Sequence, residues 1–486
     1  MTDSQTLWSA RSCYLVGIKG VAMTSLAQCL VDVGKLVRGA DVAEAFVTQE
    51  LLEKLDIQID TGFSHELPAD VDCVIFTSAH QAQNNPLVQQ ARLRQIPTVH
   101  QAEALATLFN SQTGIAVAGV GGKSTTSAMI TWIMEKTGRL PSYSVGVGSI
   151  PGLPRTGLWR ADAPVFVAEA DEYVLDPTAP QRGESVQSKL TLLRPAAIVC
   201  TNLRFDHPDV FRDFAHTQDV YRAFFQQVKE PGLFVVNGDD APLVALARSA
   251  VTSLKQERPT GPGCLLYGEG EHADWRLQSF QAIEGETITK FAVLGDPVSH
   301  ELKLRIPGKY NALNALAALA VCHAFGVPLS ESLPALSEFR STRRRAEYIG
   351  EKQGVKYYDD YAHHPNEVQH VIHAFREWFP QRKLIVAFQS HTFSRTKALF
   401  DDFVQAFAEA SEVVMIDIFA SAREARDPTV SSDQLCQSIT RMFPNIPAQN
   451  FRTIPALAIY LHDVTKPGDV VLTVGAGDIY LVHEAI

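Results

Sequence analysis

Residues 114–129 read Gly-Ile-Ala-Val-Ala-Gly-Val-Gly-Gly-Lys-Ser-Thr-Thr-Ser-Ala-Met, an apolar run that ends in a glycine-rich turn and passes into a helical pattern. A short apolar run bounded by glycines reads as a buried strand, and the stretch after Lys123 as the helix that leaves it. A strand feeding a helix through so tight a turn belongs to an α/β sheet. The same turn is suited to phosphate. The backbone N–H groups of Gly119, Val120, Gly121 and Gly122 can cradle phosphate oxygens at a helix N-terminus, Lys123 can span terminal phosphates, and the Ser124 hydroxyl can hold Mg²⁺. Only Val120 and Gly121 separate Gly119 from Gly122, which is shorter than the common Gly-x4-Gly-Lys spacing. A plain strand-to-helix turn with an incidental lysine is the alternative.

The rest of the chain repeats that rhythm. Cys13-Tyr-Leu-Val-Gly reads as a strand, 21–33 as a helix, Val71-Asp-Cys-Val-Ile-Phe-Thr as a strand, and Pro86 opens a helix. Further strands are expected at 165–168, 197–201 and 233–236, and then near 384–388, 413–416 and 470–474. With 486 residues, the chain is expected to hold three α/β domains. These are an N-terminal Rossmann-like domain (1–110), a central P-loop ATPase-like domain with a mainly parallel sheet (111–341), and a C-terminal Rossmann-like domain (342–486). A net charge of −11 with no long Lys/Arg run argues against nucleic acid or an anionic membrane as the main partner. No apolar run reaches about 18 residues, and Met-Thr-Asp-Ser-Gln lacks signal-peptide regions, so a cytoplasmic protein is expected. Seven scattered cysteines without a Cys-x-x-Cys argue against a disulfide framework or zinc site.

Several clusters fall where open sheets place their ligands, at strand C-terminal ends. Gly17-Ile-Lys-Gly-Val-Ala follows the first strand, with Asp41 beyond it, a layout like a dinucleotide fingerprint. Lys19 and Ala22 stand where that fingerprint wants glycines, so a nicotinamide cofactor is disfavoured, whereas Lys19 beside a helix N-terminus suits another nucleotide's diphosphate. Glu169, Asp171 and Glu172 end one strand of the middle segment, and Asn202, Asp206 and His207 end another. Oxygen and imidazole donors can thus converge beside the phosphates held by Lys123. Asn311 and Asn314 lie one turn apart on an alanine-rich helix, able to read an adenine edge or to cap the helix. Asp360, His363 and His364 follow a later strand; adjacent histidines cannot both face one point on a regular element, which disfavours a di-histidine metal site. His391 and Arg395 lie at i and i+4 if their turn is helical, a geometry able to hold a carboxylate, or they are solvated surface residues.

Together these stretches resemble the ATP-dependent Mur ligases of peptidoglycan synthesis across nearly the whole chain. The matching runs are the short P-loop, Glu169-Ala-Asp-Glu, Thr201-Asn with Asp206-His207, Asn311-x-x-Asn314, Arg344-Arg345, Asp359-Asp-Tyr-Ala-His-His-Pro, His391-Thr-Phe-Ser-Arg-Thr and Gly475-Ala-Gly-Asp-Ile. The resemblance implies an acid:amino-acid ligase of the alanine-adding branch, which uses ATP and Mg²⁺ to join L-alanine to UDP-N-acetylmuramate through an acyl phosphate. It implies catalytic roles for Lys123, Glu169, His207 and His363, and a metal held by Ser124, Glu169 and His207. ATP is assigned to residues 119–125, including Thr125, with Asn311 and Asn314 for adenine and Asp360 for ribose. The UDP-sugar falls to Gly17, Lys19, Gly20, Val21, Ala22, Asp41 and Ser78, and the amino acid to Arg344, Arg345, His391 and Arg395. A monomer or weak homodimer is expected, with small-molecule partners only.

Three departures keep rivals in view. The alanine-adding enzymes usually have Thr-His at Val120-Gly121, and glycines at Lys19 and Ala22. The stretch between Glu172 and Asn202 is longer than their pattern. Glu-Tyr at 172–173 and Phe-Asp-His-Pro-Asp-Val-Phe at 205–211 look more like the ligase that recycles murein tripeptide, while His391-x-x-x-Arg395 is similar to the alanine branch. A tripeptide ligase and a catalytically decayed nucleotide-binding relative are therefore the rival expectations.

Overall fold

The computed structural model describes residues 3–486 except 45, 208, 259 and 420–425, so Pro208 of the 205–211 run lies outside the described residues. The chain divides into two compact units, one of 1–279, 290–301 and 313–337, the other of 280–289, 302–312 and 338–486.

The first unit opens with a parallel five-stranded sheet of β1 (Ser12–Val16), β2 (Leu36–Asp41), β3 (Gln58–Thr61), β4 (Cys73–Phe76) and β5 (Thr98–His100), ordered β3-β2-β1-β4-β5. Every residue of β1 is buried, as expected of an apolar run sandwiched between layers. The order reverses at β1, so the crevice outside β1 and β4 is where such a sheet takes a ligand. Helix Val21–Asp32 covers one face, burying Met23, Leu26, Ala27 and Leu30.

The second sheet holds β6 (Gly114–Ala118), β7 (Ser142–Ser144), β8 (Gly157–Leu158), β9 (Phe166–Glu169), β10 (Ala197–Cys200), β11 (Leu233–Asn237) and β12 (Gly263–Gly268), in the order β12-β11-β10-β6-β9-β7-β8. All of these pairings are parallel except β7 with β8. The phosphate turn leaves β6, between the ends of β9 and β10. The sheet continues through β13 (Trp275–Ile283), β14 (Glu286–Val293) and β15 (Ser299–Leu304), and the division between the units runs through these strands. The sequence reading did not mark them. Their alternation is masked by charged residues on a half-exposed face, as in the mixed burial of Trp275–Ile283.

Three α/β domains were expected, and there are three sheets, the first two of them within one compact unit. The Ser25 and Ser144 hydroxyls hydrogen-bond at 2.9 Å, Gln28 Oε1 accepts from the Thr156 and Gly157 N–H groups, and Asp32 pairs with Arg155. A Cβ on Gly157 would stand 1.9 Å from the Ser25 carbonyl oxygen, so only glycine permits this approach. In the second unit β16 (Glu347–Lys352), β17 (Val355–Asp360), β18 (Leu384–Phe388), β19 (Glu412–Met415), β20 (Ala448–Asn450) and β21 (Val470–Val474) are ordered β16-β17-β21-β18-β19-β20. Only β16 runs antiparallel to its neighbour.

Candidate active site

At the phosphate turn, Gly119 and Gly122 have φ of +124° and +85°. Both need glycine on steric grounds too: a Cβ would come within 2.2 Å of Thr201 Oγ1 at Gly119 and 2.6 Å of Asn314 Oδ1 at Gly122. Helix Lys123–Lys136 follows, with Thr125 buried in its first turn. Asn202 braces the turn from the end of β10, its Oδ1 accepting from Gly121 N at 3.0 Å and its Nδ2 donating to Gly121 O. Lys123 is folded back: its ammonium donates to the Gly119 carbonyl at 2.6 Å and ion-pairs with Glu172 at 2.9 Å.

Glu172 was read at its strand end but left out of the assigned roles, and the structure puts it at the centre. Its carboxylate holds Lys123 and lies 3.6 Å from His207 Nε2, while Asp206 Oδ2 lies 3.7 Å from the same nitrogen. Ligand atoms of Glu172, Asp206 and His207 fall within 4.8 Å of one another, a donor set suited to a divalent cation. The set expected from sequence divides here. Ser124 Oγ donates to Glu169 Oε1 at 3.0 Å, while His207 faces Glu172. The Glu-x-x-Glu spacing itself was the available signal: β9 ends at Glu169, so the chain has left the strand before Glu172, and Glu169 meets Ser124 while Glu172 meets Lys123.

The electrostatics follow from crowding charges under cover. Burial works against the Lys123 charge, but Glu172, Glu169 and Asp171 outweigh it and hold the ammonium above its usual range. Burial raises Glu169, against the pull of Lys123 and Ser124. Burial opposes ionisation of Asp171, yet Lys189 and Lys123 bring it to about 2. His207 is raised: burial disfavours its charge, and Glu172 with Asp206 and Asp171 favours it more.

The first crevice departs from expectation. Lys19 was expected to face a diphosphate; instead its ammonium donates to the Val42 and Glu44 carbonyls, each at 2.9 Å, and is buried. Asp41 was assigned to the UDP-sugar; its carboxylate accepts from Lys19 N at 2.7 Å and Val42 N at 2.8 Å and is 1 % exposed. Gly17 has φ +84°, and Gly20 precedes helix Val21–Asp32, so Val21 and Ala22 form its first turn. Ser78 Oγ meets His100 Nε2 at 2.9 Å and the Val174 and Leu175 carbonyls at 3.3 Å. His100 Nδ1 accepts from Ala102 N, and burial drives its pKa down to about 3.

In the second unit, Arg344 has a framework task rather than the substrate contact expected of it. It is buried, donates from Nε to Asp359 at 3.0 Å and from its terminal nitrogens to the Gly475 and Gly477 carbonyls, and stacks on Tyr480. The Gly475-Ala-Gly-Asp-Ile run is thereby tied to β17. Asp360 is likewise turned inward, its two oxygens accepting from Ala346 N at 2.7 Å and Ala362 N at 2.8 Å, and burial raises it to about 6. Arg345 stands 5.4 Å over the Tyr361 ring. His363 Nδ1 lies 3.1 Å from the Tyr361 carbonyl and 3.6 Å from Glu367, and burial lowers its pKa. Glu367 also accepts from the His363 and His364 N–H groups, a bracing role that sequence reading missed although Glu three residues into a helix is a capping signal. The turn at His391 is not helical, which was the condition for reading His391 and Arg395 as an i, i+4 pair. Helix Phe393–Ala398 begins after His391, whose ring stacks on Phe419, and Arg395 reaches back to the His391 carbonyl at 2.9 Å. Asn311, in the first turn of helix Lys309–Ala324, donates from Nδ2 to the Pro307 carbonyl at 2.7 Å, and Asn314 lies against Gly122.

Comparison with known proteins gives three family matches in chain order. They are Mur ligase family, catalytic domain over 12–113, Mur ligase middle domain over 117–322, and Mur ligase, glutamate ligase domain over 344–477. The chain is 35% identical over 478 residues to a UDP-N-acetylmuramate–L-alanine ligase of Desulfitobacterium hafniense, covering 97% of this chain and 98% of that protein. To the ligase of that name from Mycobacterium marinum it is 33% identical over 497 residues, covering 100% and 96%. Its fold is similar to the crystal structure of UDP-N-acetylmuramate-alanine ligase from Thermotoga maritima, with TM-score 0.79, 24% identity and 98% of each chain covered. A murein peptide ligase from Psychrobacter arcticus shares the fold at TM-score 0.64 and 19% identity, covering 98% of this chain and 97% of that one.

Proposed function

The chain belongs to the Mur ligase family, and from that premise we propose that it is the ATP-dependent ligase joining L-alanine to UDP-N-acetylmuramate. The observation that carries this reading is full-length similarity to alanine-adding ligases in a chain whose phosphate turn, Lys123, Glu169, Glu172 and His207 gather in one cluster. The tripeptide reading rests on the 172–173 and 205–211 runs, and the 35% and 33% identity over nearly the full chain to alanine-adding ligases weighs against it.

A carboxylate is a poor acylating agent, so the γ-phosphoryl group passes from ATP to the lactyl carboxylate oxygen and ADP leaves. The alanine amine then attacks the acyl carbon, and the tetrahedral intermediate expels phosphate as the amine loses a proton. Lys123 exchanges its contact with Glu172 for the phosphates and neutralises charge developing on them. The oxygen-rich donors fit Mg²⁺, and we assign it to Glu172, Asp206 and His207, where it would act as a Lewis acid on phosphoryl oxygens, with Ser124 and Glu169 as a separate pair of oxygen donors beside the phosphate turn. His363, Arg345, His391 and Arg395 are assigned to the acyl phosphate and amino acid, and Asn314 to the nucleotide. The domain limits 1–110, 111–341 and 342–486 are kept as the functional division. No helix among the described residues is long and apolar enough to cross a membrane. We place the reaction in the cytoplasm, where ATP and nucleotide sugars are held.

The test is phosphate release from ATP with UDP-N-acetylmuramate and either L-alanine or L-alanyl-D-glutamyl-diaminopimelate. Alanine-dependent release is expected. Release with the tripeptide alone would overturn the assignment, and ATP binding without amino-acid-dependent release would establish a decayed relative.

A further inference from the structure

Lys19 is a lysine where a phosphate-binding turn ordinarily has glycine, and it is 6 % exposed. A buried ammonium is costly unless its hydrogen bonds are met. Here they are met by main chain: Nζ holds the carbonyls of Val42 and Glu44, each at 2.9 Å, in the loop after β2. The backbone of the same residue completes the clasp. Its N–H donates to Asp41 Oδ2 at 2.7 Å, and its carbonyl accepts from Thr48 Oγ1. One residue therefore ties the turn after β1 to the end of β2 and the loop beyond it by four hydrogen bonds.

Those two segments frame the crevice at the β1/β4 switch point. In open sheets of this kind the turn after the first strand receives a diphosphate, and the loop after the second lies against the nucleoside. Gly17 keeps the turn open, since a Cβ there would meet Thr77 Cγ2 at 2.7 Å. The Lys19 side chain points away into the carbonyls, so the turn's backbone is not covered by it.

We propose that Lys19 is a positioning residue for the nucleotide sugar, a clasp that pre-forms the diphosphate turn and the nucleoside loop as one rigid frame. The inference rests on the assignment of UDP-N-acetylmuramate to this crevice. Locking a site in its bound shape raises affinity by lowering the ordering cost of binding. Two readings of the same lysine thus make opposite predictions. An obstructing lysine is improved by Lys19→Gly, whereas a clasping lysine is made worse.

The experiment measures steady-state kinetics of alanine-dependent phosphate release for the wild type, Lys19→Gly, Lys19→Met and Lys19→Arg. The clasp predicts a KM for UDP-N-acetylmuramate raised about tenfold in Lys19→Gly and Lys19→Met, the size expected when about 1.4 kcal/mol of binding is lost. It also predicts KM for ATP and kcat within about twofold of wild type, and partial recovery in Lys19→Arg, which retains donors for the two carbonyls. A lesion that merely loosens the fold would move kcat and both KM values together, and that result overturns the proposal. So does an unchanged or lowered nucleotide-sugar KM in Lys19→Gly. If the Lys19 variants do not fold, Thr48→Val removes the Thr48 bond alone and should give the same selective rise at smaller size; no selective rise overturns the proposal. Wild-type protein with no release on UDP-N-acetylmuramate and L-alanine instead defeats the functional assignment itself.

Discussion

Two strand-to-helix turns in the first unit each carry a lysine that donates to backbone carbonyls, and only one of the two is also paired with a carboxylate. At 119–124, Lys123 donates to the Gly119 carbonyl, pairs with Glu172 and feels the charges of Glu169 and Asp171. At 17–22, Lys19 is held by two neutral carbonyls and forms no ion pair among the described residues. A phosphate can replace a carboxylate on an ammonium at little net change in charge, so the Lys123 contact is exchangeable. Carbonyls of a folded loop cannot leave, so the Lys19 contact is a fixture. The same residue type after the same kind of strand serves chemistry in one turn and architecture in the other, and the neighbours decide which.

The comparison is broken most sharply at Lys123. Lys123→Ala should lower kcat by about 10²–10³-fold or more, since it removes a preorganised cation from the phosphoryl-transfer site. Its circular dichroism should stay native. Near-normal turnover would make Lys123 a fixture like Lys19.

A smaller effect separates the glycines that close the two turns. Gly122 has φ +85° and Asn314 close behind it, so Gly122→Ala should destabilise by about 1–3 kcal/mol and raise the KM for ATP. Gly20 has φ −61° with nothing nearer to a built Cβ than the Gly17 carbonyl oxygen at 3.5 Å, so Gly20→Ala should change stability by less than about 0.5 kcal/mol. Urea denaturation measures both. Equal losses would mean that backbone conformation does not distinguish the turns.

The smallest effect is one of pH at the first crevice. His100, which supports Ser78, has its pKa lowered by burial to about 3, so between about 3 and 6.5 the unfolded chain binds a proton that the folded chain does not. Its contribution to stability is complete above pH 6.5 and is lost as pH falls. From pH 6.5 to 5.5 the loss should be about 1 kcal/mol. Thermal melts across that interval should show a shallower slope in His100→Gln than in the wild type. Equal slopes would assign the pH dependence elsewhere.

Much of this was legible in the chain. Strands Leu384–Phe388 and Val470–Val474 lie where the apolar runs placed them, because buried parallel strands are uninterrupted apolar runs. The phosphate turn was legible because backbone geometry there demands glycine whatever surrounds it. The clusters Glu169-Ala-Asp-Glu and Asp206-His207 were legible as a site because strand ends bring them to one edge. Strands Trp275–Ile283 to Ser299–Leu304 were missed, since a half-exposed strand spreads its signal over polar residues.

By itself the sequence determined the α/β rhythm and the phosphate turn, because these depend on local propensity and on periodicities carried within a few residues, and its motif runs carried the resemblance to the family. Only the tertiary structure decided which of several like charges does what. Arg344 is buried against Asp359 and the 475–477 loop while Arg345 stands over Tyr361, and Asp360 turns inward because β17 pairs with β21 in the register Asp360 to Val474. Glu172, rather than Glu169, meets both Lys123 and His207 because the chain leaves the strand between them. Neighbouring residues of identical charge are equivalent to composition and spacing. They become different only when strands distant in sequence are set side by side, since burial and partners are properties of that register.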